Sequence, residues 1–174
     1  ITVTKKATNA VNDIYSVVVE FGSNWTVHYG EIINSSLDTG TITLDSSVSD
    51  WSNAIIIASS GSGARESHSM AADYSPGSEL DEVDWAFHAN HNATNDHVIM
   101  VLEHSGLNVT RVAYSTASGS AGEITHDITA AGLTDLAQSA IFLNGYTSST
   151  SQSQNAVLVA YLKTLAQAAT YAGI

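Results

Sequence analysis

The sequence contains no cysteine and a single proline, and only 13% of its residues are charged, roughly half the share of an ordinary soluble domain. Without Cys there is no disulfide framework, no thiolate metal site and no thiol nucleophile. Lys and Arg number 5 against 17 Asp and Glu, for a formal net charge of -12. A phosphate backbone attracts bases and repels such a chain, so nucleic acid is not an expected partner. An anionic membrane surface is disfavoured for the same reason. No apolar run approaches the roughly 18 residues that span a bilayer as a helix, so no membrane partner is expected. Aromatic residues make up 7% of the chain, too few to line a glycosidase groove around paired carboxylates.

What is present points to one packed domain, or at most two small ones. The 174 residues are 44% hydrophobic, enough to bury a core. Ser and Thr take the place of the missing charge. A polar, uncharged surface of this kind suits an extracellular or virion-surface protein.

Short β-type runs separated by turn residues dominate the pattern. Ser16–Gly22 is apolar and β-branched, Gly40–Asp45 alternates strictly, and Asn53–Ala58 is a continuous apolar run. Asn24–Ile32, Val83–Ala89, His97–Glu103, Asn108–Ser115, Glu123–Ile128, Ser139–Leu143 and Ala156–Leu162 follow suit. This spacing predicts an all-β fold, an antiparallel β-sandwich of jelly-roll-like kind. At the end, Tyr161, Leu165 and Ala168 share a helical face, which predicts a short C-terminal helix or turn.

The two halves resemble each other. Asn9–Asp13 matches Asn92–Asp96, Val18–Glu20 matches Val101–Glu103, and Asn24–Thr26 matches Asn108–Thr110. Gly40–Thr43 then matches Gly122–Thr125, and Ala54–Ile57 matches Ala140–Leu143. The order is preserved with small gaps, which predicts a tandem duplication with a repeat of roughly 83 residues. Residues 1–80 would form the first repeat and 81–174 the second, as two units or fused into one sandwich. The connector Ser75-Pro76-Gly77-Ser78 carries the only proline.

The run Val17-Val18-Val19-Glu20-Phe21, then Trp25, Val27, Gly30 and Glu31, then Gly40-Thr41-Ile42-Thr43, resembles a pattern in β-rich structural proteins of tailed phages and archaeal tailed viruses. Ser49–Ile57 occupies the place of that pattern's last strand. The second half repeats it more weakly, with His104 where the first has Phe21. The resemblance implies a decoration, turret, head-fibre or tail-fibre component of the virion surface, oligomeric and without catalysis. It transfers no catalytic residues.

The search for chemistry agrees. Ser59-Ser60-Gly61-Ser62-Gly63 lacks the Gly-x-Ser-x-Gly spacing of a nucleophile elbow. His88, His91, His97 and His104 cluster, but His88 and His91 are oddly spaced and face opposite sides of a regular strand. They read as loop and surface residues. Asp81, Glu82 and Asp84 bracket a strand start where a Ca ion could tie the connector, while the simpler reading is a solvated linker. Trp51, between Asp50 and Ser52, and Tyr146 are the residues best placed to stack on a glycan. Trp25 and Trp85 lie in strand-like runs and are expected in the core.

The expectation is therefore a non-enzymatic virion-surface protein. Its partners would be copies of itself, most simply a trimer, other virion proteins and a host surface glycan. The alternatives are an extracellular pilin-like filament subunit or adhesin that donates Ile1-Thr2-Val3-Thr4 as a strand, and a carbohydrate-binding module.

Overall fold

Alternation of apolar and polar residues sets the strands, and pairing between distant strands sets the core. A computed structural model describes residues 19–35, 37, 39–62, 70–74, 79–86, 95–112, 122–142 and 158–172. The described chain is all-β. Its nine strands are β1 (Trp25–Ser35), β2 (Thr39–Thr43), β3 (Ala54–Ser62), β4 (Ala71–Asp73), β5 (Glu82–Ala86), β6 (Asn95–His104), β7 (Gly122–Asp127), β8 (Leu158–Thr164) and β9 (Gln167–Ala172). The only helical pieces among the described residues are single 3-10 turns at Trp51–Asn53, Thr129–Ala131 and Leu136–Gln138.

The strands form three antiparallel sheets of three, ordered β1-β6-β3, β2-β5-β4 and β7-β9-β8. The first two share one buried cluster. Ile56 on β3 and Ile99 and Val101 on β6 meet Ile42 on β2, Ala72 on β4, and Val83 and Trp85 on β5. Val48, Trp51 and Met70 close it from the connecting segments. Ile42, Val48, Val83, Ile99 and Val101 are 1% exposed or less. Gly30 on β1 belongs to this interior because Ile42 occupies the space its side chain would take. A Cβ there would overlap Ile42 Cγ2 and crowd the Thr43 carbonyl.

The boundary drawn at residue 80 runs through this core. β5 and β6 lie beyond it, yet β5 pairs with β2 and β4, and β6 pairs with β1 and β3. Of the segments matched between the halves, Gly40–Thr43 and Gly122–Thr125 both lie in strands. The others do not correspond: Trp25–Thr26 is strand while Asn108–Thr110 is not, and Ala54–Ile57 is strand while residues 140–142 are not. Asn9–Asp13 lies outside the described residues.

The expected C-terminal helix or turn is a β-hairpin. β8 and β9 pair across a turn at Leu165–Ala166, with a register shift between Leu162 and Thr164. Ala and Leu fit a helix period and a strand period equally over so short a stretch, and pairing decides between them. β9 is the central strand of its sheet, and Ala168 and Ala169 on it are fully buried. Lys163 on β8 reaches across to Glu123 Oε1 at 2.5 Å on β7.

Candidate functional site

The sequence-derived site residues scatter. Asp81 precedes β5, and Glu82 and Asp84 lie in it; its alternate residues Val83 and Trp85 enter the core, so Glu82 and Asp84 share the outer face. Asp84 accepts a hydrogen bond from the Thr41 hydroxyl at 2.8 Å. The Asp81 carbonyl accepts from the Leu44 N–H. Among the described residues no group of three or more His, Asp or Glu is placed to hold a metal ion.

Trp51 is not an exposed platform. It is 7% exposed, and its ring stacks on Tyr74 with centroids 4.9 Å apart and planes 6° from parallel. Asp50 caps the 3-10 turn that carries it, its carboxylate accepting from the Ser52 N–H at 2.9 Å. Arg111 covers the pair, with its guanidinium carbon 4.7 Å from the Tyr74 ring centroid. The same guanidinium donates to the carbonyls of Trp51 and Ala54 and to Asp73 Oδ1. A loop position flanked by polar neighbours reads as exposed, but the cover comes from a residue far along the chain. Tyr146 lies outside the described residues.

The histidines also depart from the surface reading. His97 is fully buried and tilts against Trp85 at 4.4 Å. His104 sits against Trp25 at 4.7 Å. Trp85 is core, as expected, but Trp25 lies on the outer side of β1, where Phe21 also contacts it. His88 and His91 lie outside the described residues.

A polar constellation among the described interior residues lies outside the candidates that the sequence pattern offers. His28 on β1 is 1% exposed. Its Nε2 lies 3.2 Å from Glu103 Oε2 on β6, and its Nδ1 lies 2.8 Å from the Ser46 hydroxyl. Glu103 also accepts the N–H groups of Ser49 at 3.2 Å and Asp50 at 3.0 Å. Burial alone would push the Glu103 carboxyl up, but those two N–H groups and then the His28 ring outweigh it and hold the carboxyl below its ordinary range. Beside it, the Tyr29 N–H holds the Asp45 carboxyl low against slight desolvation, helped by the Ser46 hydroxyl and the nearby His28 ring. His28 has the same parity along β1 as Gly30 and Ile32, which was the available signal.

The β1-β6-β3 sheet is apolar on its outer face as well. Register places Val27, Leu102 and Ile55 side by side, then Tyr29, Met100 and Ile57. Val98 follows on β6 and Ile33 on β1. Tyr29 is 51% exposed, Ile33 59% and Val98 42%. Glu31 is the one carboxylate among the outward β1 positions Val27, Tyr29, Glu31 and Ile33, and Asp96 has the same parity at the start of β6. The outer face of the opposing sheet is different in kind: Thr39, Thr41 and Thr43 on β2 face outward with Glu82, Asp84 and Asp73.

Compared with protein-family models, with curated proteins and with solved structures, the chain matches none. Among the described residues no helix is long and apolar enough to cross a membrane.

Proposed function

We propose that the chain is a non-enzymatic structural subunit of a virus particle's outer surface, which assembles with copies of itself and with other particle proteins. One observation supports this above the others: the β1-β6-β3 sheet carries large apolar side chains on both faces, while the outer face of the β2-β5-β4 sheet is threonine-rich and acidic, with only the small Ala71 and Ala86 apolar among its described residues. A chain of net charge -12 repels its own copies, so contact is favoured where carboxylates are scarce. The face centred on Tyr29, Met100 and Ile57 meets that condition. The threonine-rich acidic face is then the one turned to solvent. The virion setting rests on the resemblance of the Val17–Phe21 and Gly40–Thr43 runs to tailed-virus structural proteins and on the Ser/Thr-rich composition.

The size of the face bears on how it works. Three strands about 4.8 Å apart and about nine residues long present on the order of 400 Å². A pair of such faces buries about 800 Å², below the roughly 1,200 Å² of a stable two-body interface. Single contacts are weak, and assembly relies on several at once, as in a trimer or on a particle.

Light scattering across a concentration series tests the reading. The wild-type mass rises with concentration, and the Tyr29→Glu/Val98→Lys double variant stays at one chain with an unchanged melting temperature. A wild-type mass of one chain at every concentration, with no uptake into particles, refutes it. Deleting residues 1–6 distinguishes the strand-donation alternative, which alone needs them for polymerisation.

A further inference from the structure

We propose that Ser46 is an activated serine, a nucleophile that accepts acyl groups from small reactive esters through a proton relay made by His28 and Glu103. The inference is independent of the assembly reading, because it concerns the loop between β2 and β3 and the inner face of β1 and β6.

A carboxylate only accepts hydrogen bonds. Ionised Glu103 accepts from the Ser49 and Asp50 N–H groups and faces His28 Nε2 at 3.2 Å, so Nε2 carries the ring proton. In the neutral ring Nδ1 then presents its lone pair to the Ser46 hydroxyl at 2.8 Å. A hydroxyl donating to an imidazole that is oriented by a carboxylate is the arrangement of base-assisted nucleophiles. Ser46 is exposed, whereas the base is 1% exposed and the carboxylate 9%. A fixed, desolvated base thus backs a solvent-facing oxygen. Asp45 Oδ1 lies 3.2 Å from the same hydroxyl and is a second, longer acceptor for its hydrogen. Its negative charge also favours the imidazolium that proton transfer creates.

The step balances without a co-reactant. Ser46 Oγ bonds to the ester carbonyl carbon while its proton passes to His28 Nδ1. The bond from that carbon to the alcohol oxygen breaks, and the departing alkoxide takes the proton from Nδ1. Ser46 is left as an acyl ester, and one alcohol is released.

Treatment of the full-length protein with p-nitrophenyl acetate, followed by peptide mass mapping, tests the proposal. Ser46 acquires the acetyl group about 100-fold faster or more than Ser47, Ser49 and Ser52 of the same chain, the acceleration a positioned base supplies. Ser46→Ala removes the fast label, and unfolding in urea brings Ser46 down to the rate of its neighbours. Glu103→Gln slows the label while Val98→Lys leaves it unchanged. Acetylation of Ser46 at the rate of Ser47, or a fast rate that survives urea, overturns the proposal.

Discussion

The Arg111 guanidinium carbon lies beside the stacked Trp51 and Tyr74 rings, 4.7 Å from the Tyr74 centroid and 5.8 Å from that of Trp51. Three of the five guanidinium donors are taken: by the Trp51 carbonyl at 2.8 Å, by the Ala54 carbonyl at 3.1 Å and by Asp73 Oδ1 at 2.8 Å. The segment after β6 is thereby fastened to the start of β3 and the end of β4.

Arg111→Lys therefore costs about 2 kcal/mol, since a point charge cannot serve two carbonyls and a carboxylate at once while keeping its contact with both rings. Asp73→Asn costs less than about 1 kcal/mol, because that carboxylate is largely exposed and its ion pair is screened. Urea melts of the two variants check the order. Equal losses would mean that the ion pair, not the carbonyl bonds and stacking, holds the segment.

Acid should loosen the protein through Glu103. Its folded carboxyl lies below the ordinary glutamate value of 4.5 that it takes on unfolding. The unfolded state therefore binds the proton more readily. The stability from Glu103 is complete above that value and drains away as pH falls through the lowered folded one. Thermal melts from neutral pH downward show a fall in this window, and Glu103→Gln flattens that part of the curve.

Gly30→Val should be among the most damaging changes on β1. The new side chain enters a filled interior against Ile42 and the Thr43 carbonyl, and overpacking of this kind costs about 1–3 kcal/mol or more. Gly22→Ala, where a Cβ meets open space, is the matched control and leaves the melting temperature close to wild type.

Ile99→Ala removes a fully buried side chain from the central strand and costs about 2–5 kcal/mol. Val98→Ala, one residue away on the open face, stays within about 1 kcal/mol. If the two losses are similar, the outer face is covered in solution by something that buries Val98.

Strand positions were legible where alternation was strict. Gly40–Asp45 was read as a strand, and β2 occupies Thr39–Thr43 with Ile42 in the core. The continuous run Asn53–Ala58 was read as buried, and Ala54 and Ile56 are, but Ile55 and Ile57 belong to the outer apolar face. A short apolar run does not say what covers its second side. Trp51 was misread because its cover, Arg111, lies 60 positions away. His28 was passed over because Glu103, 75 positions away, gives it meaning. Local pattern carries neither pairing, since both come from the order of strands in the sheets.

That order also governs how the protein is made. β6 is the middle strand between β1 and β3, although it is the last of the three to be synthesised. A nascent chain that has emerged only as far as residue 94 holds two strands with nothing to zip between them, and their sticky edges stay open until ten more residues leave the ribosome. Fragments ending before β6 are thus expected to clump rather than fold, and translational pausing just upstream of it would lengthen the vulnerable interval.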